Sequence, residues 1–210
     1  MFRRPVYMVT RSDHKEFPVR KMFSFMVVTV DGYYEGPNQE FIDWPTVDEE
    51  FDEFSVNQLD EVDTLLFGRV TYEMMAAYWP TPAADEDDPR VAARMNSLAK
   101  VVVSRTLDQA DWANTRLISD TQDLRALKQQ PGKDIAILAS SDLTVSLLQM
   151  GLVDELRIMV SPVVLGAGKS VFRNAGNTIS LTLLRSRPFD SGNVLLYYQP
   201  VPAGQQPKGS

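Results

Sequence analysis

The sequence predicts an α/β protein of three layers: a mixed, mostly parallel sheet with helices on both faces, closed by a C-terminal antiparallel hairpin. Two runs, VVV at 101–103 and IAIL at 135–138, are apolar without alternation, the mark of strands covered on both sides. Helical periodicity separates these runs, which is how parallel strands are connected. Near the end the pattern changes. ISLTLLRSRPF and NVLLYYQPV flank Asp190, Ser191, Gly192 and Asn193, a turn-forming set between two strands.

Taken in order, residues 1–20 form an N-terminal extension, 21–200 the domain and 201–210 a polar tail. MFSFMVVTV is the first strand and DGYYEGPNQE a Gly-rich loop. The segment 47–59 is a helix that presents Phe51, Phe54 and Leu59 on one side. Residues 63–67 form a strand and 71–78 a helix stopped by Pro80. TPAADEDDP reads as a solvated acidic loop leading to a helix that begins near Pro89. Strands follow at 101–104, 135–139 and 155–160, with helices at 124–130 and 143–150 between them.

At 210 residues, 44% of them hydrophobic, the chain can bury a sizeable core in one domain. With no cysteine, disulfides and thiolate-ligated zinc are excluded, and a cytoplasmic location is expected. His14 is the only histidine, so neither a His-based triad nor a multi-histidine metal site can be assembled in one chain. A formal charge of −7 argues against nucleic acid or an anionic membrane as partner, because both require a positive surface. No apolar run approaches the length of a membrane span. A small molecule is the expected partner.

DTLLFGRVTYEMM, 63–75, is the most informative stretch. An apolar strand runs into Gly68 and Arg69 and then into a helix, which aims unpaired helix N–H groups and a guanidinium at one point, an arrangement suited to phosphate. KVVVSRT and DIAILASSDLTVSLL end in similar strand-to-loop junctions, at Ser104 and Arg105 and at Ala139, Ser140 and Ser141. Asp142 is the expected N-cap of the helix that follows. Three such ends could line one nucleotide.

These strings, followed by GLVDELRIMVSPVVLGAGKSVF, resemble the dihydrofolate reductase-like superfamily, and within it the branch related to the reductase domain of the riboflavin-pathway enzyme RibD. The resemblance implies NADPH as cofactor. Gly68, Arg69 and Thr71 resemble the family's Gly-Arg-x-Thr element, with Arg69 for the 2′-phosphate and Thr71 for the pyrophosphate. Ser104 and Arg105 stand where the family contacts the 2′-phosphate and adenine. Ala139, Ser140 and Ser141 stand where it commonly places adjacent glycines, so the methyl of Ala139 is expected to hinder the pyrophosphate. VTVDG resembles the family's V-S-x-D-G element beside the nicotinamide and substrate, which implies roles for Thr29 and Asp31. Glu50, four residues before Phe54, has the spacing of the acid that governs pterin protonation in dihydrofolate reductases. Trp44, Phe54, Ser161 and Gly166 are the implied substrate contacts.

The implied activity is NADPH-dependent hydride transfer to a small heterocyclic or carbonyl substrate. At family level that is 5-amino-6-(5-phosphoribosylamino)uracil reductase activity in riboflavin biosynthesis; the alternatives are dihydrofolate reduction and nucleotide binding without turnover. RibD proper carries a Gly-Thr-x-x-x-Asp-Asp-Pro-type motif after the second strand, where this chain has GRVTYE. The branch commonly pairs subunits through C-terminal sheet elements, which implies a homodimer through NVLLYYQ.

Overall fold

A computed structural model describes residues 19–38 and 47–202. Its elements run β1 (Met22–Thr29), β2 (Tyr33–Glu35), α1 (Glu49–Asp60), β3 (Val62–Gly68), α2 (Arg69–Tyr78), α3 (Pro82–Asp87), α4 (Pro89–Ser97), β4 (Ala99–Val103) and β5 (Thr115–Ile118). They continue with α5 (Asp123–Gln129), β6 (Asp134–Leu138), α6 (Ser141–Gln149), β7 (Glu155–Ser161), β8 (Lys169–Ser170), β9 (Leu181–Pro188) and β10 (Val194–Pro200). Eight strands form one sheet in the order β5-β4-β3-β6-β1-β7-β10-β9. The six from β5 to β7 are parallel, and the hairpin β9–β10 adds two antiparallel strands. The α/β class and the closing hairpin are therefore as the sequence predicts. Because β6 returns between β3 and β1, strand order reverses there, and open α/β sheets bind ligands beyond the carboxyl ends of their strands at such a reversal.

Alternation along β1 shows how the layers are filled. Phe23 and Phe25 pack toward α1, α2 and α4 with Val56, Leu65, Phe67, Tyr72 and Met95. Met22 joins Leu124, Leu143, Leu147 and Leu148 of α5 and α6 on the other face, and Ser24 Oγ meets Thr144 Oγ1 of α6 at 2.9 Å in the buried interior. Successive strand side chains must point to opposite faces. Each large apolar side chain buried this way contributes about 1.5–3 kcal/mol.

Charges are buried at the amino-terminal edge of the sheet, and each has polar partners. Arg157 donates to Glu155 at 2.8 Å and Glu61 at 2.7 Å and lies 3.6 Å over the Phe23 ring. Lys128 binds Asp154 at 2.6 Å and the Leu152 carbonyl at 2.9 Å. Arg20 pairs with Asp63. Asp154 also accepts from the Met22 amide at 2.7 Å and so ties β1 to β7.

Local expectations change at several points. The acidic segment expected as a solvated loop contains α3, because Thr81 caps it and Pro82 sits in its first turn. Helix α2 begins at Arg69, directly after the strand, rather than at Thr71. Strand β5 went unread because TRLI is four residues long with no fully buried position, and its place is secured only by pairing with β4. The small β2–β8 pair was likewise unread. There Gly168 has φ +148° and an added Cβ would run into the Glu35 carbonyl oxygen, so close backbone approach requires glycine. The adjacent Lys169 forms an ion pair with buried Glu35. Among the described residues no helix is long and apolar enough to cross a membrane.

Candidate functional site

The carboxyl ends of β3, β4, β5 and β6 surround a cleft of about 530 Å³. Its walls carry Gly68, Val103, Ser104, Arg105, Ser119, Asp120, Thr121, Asp142, Leu143 and Ser146. That size and mixed lining suit a small organic ligand with polar groups.

Backbone geometry sets its character. Helices α2 and α6 both start here, and neither has a side-chain cap on its first turn. By contrast α1, α3 and α4, which start elsewhere, are capped by Asp48, Thr81 and Asp88. Uncapped first-turn amides are open donors at the positive end of a helix. The two starts are joined: Ser140 Oγ accepts from the Gly68 amide at 3.0 Å. Ala139 and Ser140 take φ of +53° and +45°, and the step from left-handed Ser140 into the right-handed first turn of α6 is the change of hand that lets successive N–H groups face one concavity. The Ala139 amide is not among them, because it donates to the Phe25 carbonyl at 3.0 Å. Ser140, rather than Asp142, is the N-cap residue of α6.

Gly68 tests whether a ligand fits. Its φ of −80° and ψ of 164° are ordinary for any residue, and an added Cβ would find nothing nearer than Ser140 Oγ at 3.8 Å and Leu143 Cβ at 3.9 Å. The turn does not need a glycine, and a side chain here would take up space at the cleft wall beside Ser140 and Leu143. Arg105 is exposed on the wall and has no ion-pair partner among the described residues. Ser104 shapes the same corner by accepting from the amides of Thr106 and Leu107 at 3.1 and 2.9 Å.

Other sequence-predicted residues lie outside the cleft lining. Arg69 makes a two-pronged pair with Glu73, at 3.1 and 2.8 Å. Thr71 is half-buried in the first turn of α2. Ser141 Oγ donates to the Val171 carbonyl at 3.2 Å. Trp44 lies outside the described residues. Sequence reasoning missed Ser119, Asp120 and Thr121, which follow the unread β5. Asp142 was read as a cap and is instead a cleft wall.

A second cluster forms where β1 and β7 end. Thr29 Oγ1 donates to Asp31 Oδ1 at 2.6 Å and accepts from the Tyr33 amide at 3.0 Å. Asp31 also accepts from the Gly166 amide at 2.7 Å and the Leu165 amide at 3.3 Å. The Thr29 hydroxyl, followed by these amides, holds the Asp31 carboxyl below its usual value. It therefore ties the loop after β1 to the loop after β7 as an ionised acceptor. Ser161, in register with Thr29, is fully buried, and its hydroxyl has no hydrogen-bond partner among the described residues.

Glu50 accepts from the Asp190 amide at 3.0 Å and from Arg187 at 2.7 Å. These two donors lower its pKa and fasten α1 to the β9–β10 turn. Phe54 is 5% exposed, with its ring centroid 5.4 Å from that of Phe25 and 5.9 Å from that of Phe189. It presents little surface to a ligand. No group of three or more metal-ligating side chains occurs among the described residues.

Residues 20–195 match the RibD C-terminal domain family. The uncharacterized protein YyaP of Bacillus subtilis (strain 168) is 33% identical over 185 residues, spanning 85% of this chain and 94% of its own. Among solved structures, a putative riboflavin biosynthesis protein from Shewanella sp. PV-4 aligns with a TM-score of 0.64 at 20% identity, over 86% of this chain and 99% of that one. A dihydrofolate reductase from Enterococcus faecalis, complexed with NADP(H) and RAB-propyl, aligns with a TM-score of 0.59 at 14% identity, over 86% and 96%. These two share the fold with this chain.

Proposed function

Because this chain belongs to the RibD C-terminal domain family, we propose that it is an NADPH-dependent oxidoreductase acting on a small heterocyclic or carbonyl substrate. One observation carries the reading: α2 and α6 start uncapped at a single cleft, bridged by the Ser140–Gly68 hydrogen bond, with the unpaired Arg105 on the wall. Open amides at two helix starts suit a diphosphate, and a forked guanidinium suits a terminal monophosphate. The related fold of the Enterococcus reductase was solved with NADP(H).

When bound, the cofactor supplies a hydride to an electron-poor C=N or C=O bond. The chain's own residues bind and orient. Gly68 leaves room, the amides of α2 and α6 receive the diphosphate, and Arg105 selects for the 2′-phosphate. Asp31 holds the two loops at the ends of β1 and β7 together, bordering the substrate side, where Ser161 stands. The substrates to test first are 5-amino-6-(5-phosphoribosylamino)uracil and dihydrofolate. A second reading, nucleotide binding without turnover, is favoured by one feature: Asp31 and Glu50 are both held as ionised acceptors, so neither has a proton to give at neutral pH.

A homodimer belongs to the same proposal, but not through NVLLYYQ, because β10 is paired on both sides by β7 and β9; the edge strand is β9, with Leu183 and Leu184 52% and 49% exposed, a surface that favours pairing. A monomer across concentrations in light scattering would remove it. We also place the protein in the cytoplasm, where a chain without cysteine needs no oxidising environment.

The deciding experiment is thermal unfolding with each cofactor, followed by a turnover assay. A hundredfold excess of NADPH over its Kd should stabilise the protein by about 2.7 kcal/mol, and the same concentration of NADH by less. Equal shifts, or none, contradict the cofactor assignment. NADPH binding without oxidation across pteridine, uracil and carbonyl substrates would select the second reading.

A further inference from the structure

We propose that Arg173 is a second cation of this cleft, parked on Asp142 and transferred to the diphosphate of a bound dinucleotide; the inference rests on the nucleotide reading above. Asp142 forms part of the cleft wall in the first turn of α6. Its Oδ1 is held by Asn174 Nδ2 at 2.7 Å. Its Oδ2 stands 3.6 Å from the Arg173 guanidinium, too far for the 2.7–2.9 Å bond that charged partners make when their geometry is satisfied.

Four other surface arginines are already engaged. Arg69, Arg90, Arg94 and Arg187 all make hydrogen-bonded ion pairs of 2.7–2.8 Å. Arg173 donates no hydrogen bond among the described residues. Its side chain is 42% exposed and that of Asp142 64%, so water screens the pair and holds it weakly.

The backbone that carries Arg173 is anchored. Ser141 Oγ donates to the Val171 carbonyl at 3.2 Å, and Gln149 Nε2 donates to the Ala175 carbonyl at 2.8 Å. Both hold the segment against α6, so only the side chain has to swing. A diphosphate seated on the first turn of α6 would meet the Asp142 carboxylate as a like charge. It would also offer Arg173 more charge and more acceptor oxygens than Asp142 does. Moving the guanidinium from carboxylate to phosphate gains a charge-assisted bond and removes the repulsion together. Arg105 and Arg173 then divide the work: the first answers the monophosphate of NADPH, the second the diphosphate common to both nicotinamide cofactors.

Calorimetric titration of the full chain with NADPH, NADH and inorganic pyrophosphate tests this. Arg173→Ala should weaken all three by about tenfold, as for loss of a hydrogen bond to a charged group, and Arg173→Lys should recover part of the loss. Arg105→Ala should weaken NADPH alone, whereas Asp142→Asn should tighten all three. The ligand-free unfolding midpoint of Arg173→Ala should match wild type, because the pair is exposed. Wild-type affinity in Arg173→Ala while the wild type binds NADPH overturns the role of Arg173 and leaves the nucleotide reading standing. Failure of the wild type to bind either nicotinamide cofactor overturns both.

Discussion

Arg157, in the first half of β7, is buried against Glu155, Glu61 and Gln58 beneath the Phe23 ring, whereas Arg105, just beyond the end of β4, is exposed and has no ion-pair partner among the described residues. The contrast extends along both edges of the sheet. At the amino-terminal edge Arg20, Lys100, Lys128, Glu155 and Arg157 are all buried, and each has hydrogen-bond partners. At the carboxyl edge the starts of α2, α5 and α6 lack side-chain caps among the described residues, and two consecutive non-glycine residues hold positive φ. One edge is closed by satisfied polar groups and the other is left open. A buried charge must be paired or it destabilises the fold, but donors facing a cleft must stay free if a ligand is to use them.

The largest expected effect breaks the closed edge. Arg157→Ala leaves Glu155 buried with only Lys21, at 3.0 Å, as its remaining ion-pair partner, and should cost about 3–5 kcal/mol in urea unfolding. Arg105→Ala, at the open edge, should stay within about 0.5 kcal/mol of wild type. Similar losses from both would erase the distinction.

Lys100 sharpens it, because it is buried without a carboxylate. Its ammonium donates to the carbonyls of Asn96, Leu98 and Ala113 at 3.2, 2.8 and 3.1 Å and lies 4.4 Å from the Trp112 ring centroid. Burial lowers its pKa from 10.5 to about 8. Between those values the unfolded chain holds a proton that the folded chain has released, so stability should rise with pH across that window and level off above it. Measured against Lys100→Met, which lacks the titration, the rise should be roughly 1–3 kcal/mol. A constant difference between the two proteins from neutral pH to pH 10 would show that the carbonyls and the ring hold the charge without penalty.

The smallest effect probes the open edge. Ala139 holds φ of +53°, a region that costs an L-residue about 1–2 kcal/mol, so Ala139→Gly should stabilise the protein by about 1 kcal/mol or less after glycine's added chain entropy. From sequence, glycine's chain entropy alone predicts a loss at this position, and only the observed backbone reverses the sign. A loss in urea unfolding would mean that the strain is relieved elsewhere.

Legibility followed the range of the forces involved. The buried strands β4 and β6 and the turn of the final hairpin were readable because unalternating apolar runs and a turn set are local signals. Strand β5 was not, and with it Ser119, Asp120 and Thr121 of the cleft wall were missed, since a half-buried four-residue strand depends on its neighbour. Gly68, Ser104 and Arg105 were found at strand ends and do share one cleft. Asp31, Glu50, Arg69 and Asp142 were legible as charges only. Whether each carboxylate faces a ligand, a loop amide or an arginine depends on groups up to 140 positions away, as when Glu50 accepts from Asp190.

By itself, then, the sequence determined the layer architecture, the parallel-then-hairpin order and the ends of β3, β4 and β6, because hydrophobic period and turn chemistry act over a few residues. Tertiary structure alone decided which donors remain open. It placed the Ser140 hydroxyl on the Gly68 amide, left Arg105 without an ion-pair partner among the described residues and set Arg173 beside Asp142. Hydrogen bonds and ion pairs form between whichever groups packing brings within about 3 Å, and spacing along the chain does not encode that proximity.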